Sequence, residues 1–268
     1  PYKHLHKYMK VLVAGRGFIG KNVVSKLRDN HEIKTLDKNP DATYQQDITE
    51  NFEIGEEFDV LIHTVGLAPG MHSPEEYENV HVNGTRNLLE AVDAEKVIFL
   101  SALGAGTVEH SFLETKRRVE KIVKTESEKY TILRPSTVYG RENKLLEMIR
   151  RAAPTMVFPD IRTLTQPIHV DDLVSIIEKT LEQFNQQVLK LGGREEITVG
   201  DMAKRIYAER GFPCMLVPAP TVLQKVGLTM FSPLPGPFNR EDIKLLQQEN
   251  TTEINDAEKI MGELKEIP

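Results

Sequence analysis

Residues 11–20 read Val-Leu-Val-Ala-Gly-Arg-Gly-Phe-Ile-Gly, so an apolar run passes straight into Gly15-x-Gly17-x-x-Gly20. An amphipathic stretch follows, with Val23, Val24 and Leu27 on one helical stripe. Few folds use such a junction. The first glycine turns the chain off a strand, the second lets backbone approach a pyrophosphate, and the third lets a helix pack against the sheet. Phosphates then meet the free N–H groups and positive dipole end of that helix, which Gly17, Phe18, Ile19 and Gly20 open. The strand before, the helix after and an acid downstream give the spacing its meaning, and the ligand implied is a dinucleotide.

The acid is Asp37, which ends the second apolar run, 22 residues after Gly15. A carboxylate there accepts both ribose hydroxyls of NAD and repels the 2′-phosphate of NADP. Asp37-Lys38-Asn39-Pro40 is also good turn chemistry, and one residue can do both. Arg16 could reach a 2′-phosphate or stand solvated. NAD is therefore the expected cofactor, with NADP left open and Lys38 in the binding set.

Composition sets the outer limits. The chain has 268 residues, 40% hydrophobic and 28% charged, which is ordinary for a globular protein with a full core. A net charge of −6 argues against nucleic acid or an anionic membrane as primary partner. The single Cys214 excludes an internal disulfide and a cysteine-based metal site, and it fits a reducing compartment. No apolar run reaches the ~18 residues needed to span a bilayer. The expected location is the cytoplasm, or the periphery of a membrane complex. Residues 1–8 read as an extension ahead of Met9.

Apolar runs at 10–14, 32–36, 58–64, 96–101 and 130–134 alternate with helical patterns at 18–29, 73–93 and 111–127. Ser73, Pro74 and Glu76 mark the start of the second helix. Such alternation predicts an α/β fold with a Rossmann-type doubly wound parallel sheet, its ligand beyond the carboxyl ends of the strands. Residues 9–141 form the dinucleotide-binding part. In 142–268, helices are expected at 142–152, 171–184, 199–210, 220–229, 240–249 and 255–264, with strands at 163–168 and 187–191. This remainder should supply a small C-terminal α/β subdomain over the strand ends.

Gly17-Phe18-Ile19-Gly20, Asp47-Ile48, Gly84-Thr85-x-Asn87-Leu88, Arg134-Pro135-Ser136-Thr137-Val138-Tyr139-Gly140 and His169-Val170-Asp171-Asp172-Leu173 occur in order. Together they resemble the extended short-chain dehydrogenase/reductases, of the epimerase/dehydratase kind. The resemblance implies that Asp47 and Ile48 meet adenine and that Thr64, Val65 and Gly66 lie under the cofactor. It also brings Pro135 near the nicotinamide, with Ser101 in the cofactor-binding set and His81 where the family often has Asn. Ser101-Ala102-Leu103-Gly104-Ala105, Gln166-Pro167-Ile168-His169 and Asn239-Arg240-Glu241-Asp242, followed by Glu249-Asn250, are similar to the atypical group containing the nucleotide-binding accessory subunit of respiratory complex I.

The departures carry as much as the matches. Active members place a tyrosine four residues before a lysine on one helix face. Lys116 stands at the lysine position, where it can still bind the nicotinamide ribose, but position 112 is Phe. The serine that would polarise a substrate carbonyl aligns with Leu103, and Ala14 replaces the family's first glycine, with Gly15 as the alternative. Loss of a positioned general acid typically costs 10²–10⁴-fold in rate. Only 12 residues separate Leu103 from Lys116. Of the neighbours, His110, Ser111 and Glu114 read as cap or solvated residues. His81 could shuttle a proton or serve structurally, His63 reads as core, and Asp171 reads as a helix cap. Tyr139 and His169 either line a substrate pocket or pack the core, Gln166 is expected in that pocket, and no residue set has metal-ligand spacing.

Two functional readings follow. In one, the nucleotide has a structural or sensory role and the partner is a protein, such as a redox complex. In the other, the chain is an active NAD(P)-dependent oxidoreductase or epimerase with a non-standard proton donor. The resemblance also implies a homodimer through the helices at 73–93 and 111–127, whose outer faces are here rich in charge.

Overall fold

The computed structural model describes residues 8–69, 72–107, 109–140, 144–218 and 248–267. Residues 1–7, the expected helix at 220–229, all but two residues of that at 240–249, and the Asn239-Arg240-Glu241-Asp242 motif lie outside them.

Seven strands build one parallel sheet: β1 (Lys10–Ala14), β2 (Glu32–Asp37), β3 (Tyr44–Gln45), β4 (Glu57–His63), β5 (Asp93–Leu100), β6 (Tyr130–Pro135) and β7 (Gln187–Leu191). Their order is β7-β6-β5-β4-β1-β2-β3. All neighbours run parallel. Strands buried on both faces need apolar residues throughout, which is why they read as unbroken runs rather than alternating ones. Successive residues serve opposite layers. Val11, Val13, Val60 and Ile62 join the core under α1 (Phe18–Leu27), together with Val23 and Leu27. Leu12, Ala14, Leu61, Phe99 and Ile132 join the core on the other face.

That second face is covered by α2 (Pro74–Tyr77), a six-residue π-turn (Glu78–Asn83), α3 (Gly84–Ala91) and α4 (Ser111–Glu126). Ser73 and Glu76 exchange the expected capping-box bonds, with Pro74 in the first turn. The single helix expected over 73–93 is thus widened in its middle by the π-turn.

Downstream come α5 (Lys144–Ala152), α6 (Val170–Thr180), α7 (Val199–Glu209) and α8 (Asp256–Met261). Strand β7 pairs with β6, and α6 and α8 share the α1 core, so these elements past residue 141 belong to the sheet layers. The smaller unit has its own core, including Leu146, Ile149, Phe158, Met202, Ile206 and Tyr207.

Two local expectations need correction. The strand expected at 163–168 is two short ones, Leu164–Thr165 and Ile168–His169, each with a different partner. Pro167 between them has no N–H to give a continuous ladder. The cap of α6 is His169, whose Nδ1 accepts the Asp171 N–H at 3.2 Å, so Asp171 lies inside the first turn.

Candidate dinucleotide site

The strand order reverses between β1 and β4, and the glycine loop leaves β1 at that point. Gly15 has φ +95°, and a Cβ there would stand 2.8 Å from the Val65 nitrogen. A Cβ on Gly20 would fall 1.8 Å from the Gly15 carbonyl oxygen. At Gly17 nothing lies within 4 Å. The three glycines therefore divide as their spacing predicts: a strained turn, an open face, and a tight helix contact. Thr64 braces the turn, its hydroxyl shared between the Ala14 and Gly15 carbonyls at 2.9 and 3.0 Å. The first turn of α1 carries neither a side-chain cap nor an acid, which leaves its N–H groups open to an anion.

Asp37 closes the loop from β2. Its Oδ2 accepts the Arg16 N–H at 2.6 Å, and its Oδ1 accepts the Asn39 N–H at 2.9 Å. The turn chemistry and the position at the strand end thus coexist. Arg16 is half-buried and Lys38 exposed, and neither makes an ion pair among the described residues. Beyond them Asp47 Oδ1 accepts the Thr49 N–H at 3.0 Å, which holds the carboxyl below its ordinary range. Ile48 packs where a Cβ on Gly84 would come within 2.7 Å, and Asn87 Nδ2 donates to the Ile48 carbonyl at 2.9 Å. The Gly84 and Asn87 motif thereby sets the Asp47–Ile48 segment.

At the β4–β6 end of the crevice the groups are packed more closely. Gly66 is exposed, and a Cβ on it would lie 3.1 Å from Lys116 Nζ and 3.3 Å from His81 Nε2. Lys116 is buried; its Nζ donates to the Leu100 carbonyl at 2.9 Å and sits 4.9 Å from the Phe99 ring centre. Burial pushes it down to about 8, opposed by Glu120 one turn further along α4.

His81 Nε2 accepts the Leu67 N–H at 3.0 Å, and Nδ1 lies 2.8 Å from the Thr115 hydroxyl. Both nitrogens are thus engaged, and burial pushes His81 down to about 2. His63 is likewise buried and pushed down to about 3, with Nε2 2.8 Å from the Thr85 hydroxyl.

Phe112 lies on the Lys116 face of α4. Its ring centre is 5.9 Å from Tyr77, 5.7 Å from His81 and 6.4 Å from His110. Tyr77 donates its hydroxyl to the Ala68 carbonyl. His110 caps α4 by accepting the Phe112 N–H at 3.0 Å. Leu103 is held by its N–H to the Pro135 carbonyl at 2.9 Å.

Ser101, expected at the cofactor, donates its hydroxyl to Glu120 Oε1 at 2.6 Å. Arg134 grips the same carboxylate with Nε and Nη2 at 2.7 and 2.5 Å. Sequence reading missed this network, although Glu120 follows Lys116 at i+4 on the buried face of α4. It missed the π-turn and Thr115 as well.

The residues expected to line a substrate pocket are engaged internally. Tyr139 is buried and donates to the Glu266 carbonyl at 2.9 Å. Gln166 donates to the Gly193 carbonyl and accepts the Thr252 N–H, both at 3.1 Å. His169 caps α6 and packs edge-on against Tyr139. No three His, Cys, Asp or Glu among the described residues could hold a metal ion. No helix among them is long and apolar enough to cross a membrane.

The chain is similar to several known proteins. The 40 kDa subunit of mitochondrial NADH-ubiquinone oxidoreductase from Neurospora crassa is 27% identical over 139 residues, 50% of this chain and 37% of that one. The chain thus spans little more than a third of that relative's length. A protein of Methanocaldococcus jannaschii described as a putative UDP-glucose 4-epimerase is 24% identical over 256 residues, 76% of this chain and 83% of that one. Among solved structures, MoeE5 in complex with UDP-glucuronic acid and NAD superposes with a TM-score of 0.72 at 20% identity, covering 96% of this chain and 94% of that one. Residues 11–192 match the model of the NAD dependent epimerase/dehydratase family, and the chain belongs to that family.

Proposed function

We propose that the chain holds NAD(H), with NADP left open, in a structural or sensory role, as part of a redox complex, and does not run the ordinary proton-coupled reduction of its family. The open Gly17 face, the uncapped α1 N-terminus and Asp37 support dinucleotide binding. The NAD in the MoeE5 structure supports the same cofactor, and likeness to a subunit of NADH-ubiquinone oxidoreductase supports the redox complex.

The observation that carries the reading is Phe112. It occupies the position one turn before Lys116 with a ring that has no ionisable proton, among rings and a histidine whose nitrogens are both engaged. Bound dinucleotide would supply hydride chemistry; the side chains nearest Gly66 are Lys116 and His81, and the His81 nitrogen that faces it already accepts the Leu67 N–H. The chain's own contribution is to bind and orient. The glycine loop takes the pyrophosphate, Asp37 the adenosine ribose and Lys116 the nicotinamide ribose.

The test pairs calorimetric titration of NAD+ and NADH with assays of NADH consumption across nucleotide-sugar, keto and enone substrates. Micromolar or tighter binding with no substrate-dependent consumption is expected. Turnover at ordinary enzymatic rates with any of these substrates would sink the reading.

A further inference from the structure

The charges around Lys116 do not balance. On α4 the nearest carboxylate in this buried cluster is Glu120, which already accepts two bonds from Arg134 of β6 and one from Ser101 of β5. From β4 the facing group is His63, and from the π-turn it is His81; neither is protonated near neutral pH. His110 turns an accepting nitrogen to the Phe112 N–H. The outer charges of this region are mutually paired, Glu114 with Arg117 and Glu78 with Arg118. Phe112 sits where a phenol beside the ammonium could ionise and restore balance, and a phenyl ring cannot. Arg134 therefore takes the one carboxylate of this cluster, and Lys116, with no ion pair among the described residues, has only the field of Glu120 against it.

We propose that this end of the site selects the redox state of its ligand, binding NADH more tightly than NAD+ because Glu120 is paired with Arg134 and Lys116 has no carboxylate partner of its own among the described residues. The inference rests on the reading that the chain binds a nicotinamide dinucleotide. The oxidised nicotinamide ring carries a positive charge and the reduced ring none, while the rest of the two molecules is the same. A cationic ring set against an uncompensated ammonium in partly buried surroundings is repelled, and the repulsion is far weaker for the neutral ring. Selection of this kind is what a sensor of the reduced pool needs, since the two forms then differ in occupancy at equal concentration.

The full chain is titrated at pH 7 with NADH, NAD+ and ADP-ribose, which lacks the nicotinamide. NADH is expected to bind about tenfold or more tightly than NAD+. In Lys116→Met both affinities fall with the lost ribose bond, and their ratio closes to within about twofold. Should that variant fail to fold, the unmodified chain at pH 9.5 reads the same charge. Its ammonium is then largely deprotonated, and the ratio is expected to shrink. Equal affinities at pH 7, or a preference that Lys116→Met leaves intact, overturn the inference while the binding reading stands. Failure of all three ligands to bind overturns both.

Discussion

Phe112 precedes Lys116 by one turn on the same face of α4, its ring enclosed by Tyr77, His81 and His110 while the ammonium bonds the Leu100 carbonyl. A hydroxyl added at Phe112 would enter the field of that ammonium. Phe112→Tyr is therefore expected to introduce a phenol titrating below the ordinary value of about 10, visible as a new absorbance step near 295 nm. The step should vanish in Phe112→Tyr/Lys116→Met. A phenol titrating with the other tyrosines would show that the two positions do not communicate. Phe112→Ala, by contrast, should lose about 3–5 kcal/mol as a deleted core ring.

The glycine loop separates fold from binding at neighbouring positions. Gly15→Ala places a Cβ at φ +95° and 2.8 Å from the Val65 nitrogen, so it should cost about 1–3 kcal/mol in stability as well as ligand binding. Gly17→Ala meets nothing within 4 Å and has an ordinary φ of −70°. Its melting temperature should stay close to that of the parent, while NADH affinity falls at least about tenfold, because the new methyl occupies the face the pyrophosphate needs. Thermal melts and fluorescence titration of the two variants check the split.

Acid should weaken the fold through two buried histidines. Burial is the largest cause for both, with the charge of Lys116 adding to it, and it holds His63 at about 3 and His81 at about 2. Unfolded histidine titrates near 6.5. The stability these groups contribute is fully present above about pH 6.5 and is lost as pH falls, because the unfolded chain takes up protons that the native one refuses. Each group adds a slope of about 1.4 kcal/mol per pH unit below that value. Urea midpoints across pH 7 to 5 should show the fall. His63→Gln keeps a donor for the Thr85 hydroxyl and should remove one proton from the slope. An unchanged slope would mean that His63 is protonated in the native state.

The sheet and the glycine loop were readable because both rest on local rules. Apolar runs mark strands buried on two faces, and three glycines at fixed spacing meet three steric demands. The π-turn was hidden, since no residue type or spacing marks a single wider turn within a helix. Asp is a favoured cap, which points to Asp171, yet the imidazole of His169 fills that place. The Glu120–Arg134 pair joins α4 to β6, and Tyr139 reaches Glu266, 127 residues on. Nothing local encodes such pairings. Membership of β7 in the main sheet was missed for the same reason: an apolar run does not name its neighbour.

Gln166 shows how a residue expected in a pocket can instead lock the chain. Its Nε2 donates to Gly193 O, its Oε1 accepts the Thr252 N–H, and its own N–H donates to the Asn250 carbonyl at 3.1 Å. A Cβ on Gly192 would lie 2.3 Å from its amide carbon, so the side chain has no space to turn. Residues 250–255 are thus held onto the loop after β7, with Asn255 Oδ1 accepting the Gly192 N–H at 3.0 Å. Gln166→Met keeps the length and removes both side-chain bonds, leaving the Thr252 N–H buried without its acceptor. It should cost about 1–3 kcal/mol. Amides at 250–257 should exchange faster while those of β1, β4 and β5 keep their protection, and NADH affinity should remain within about twofold. Gln166→Glu should be worse, because it sets a carboxylate oxygen against the Gly193 carbonyl. Hydrogen exchange read beside NADH titration decides the role. Unchanged protection at 250–257 with lost NADH affinity would place Gln166 in the binding pocket.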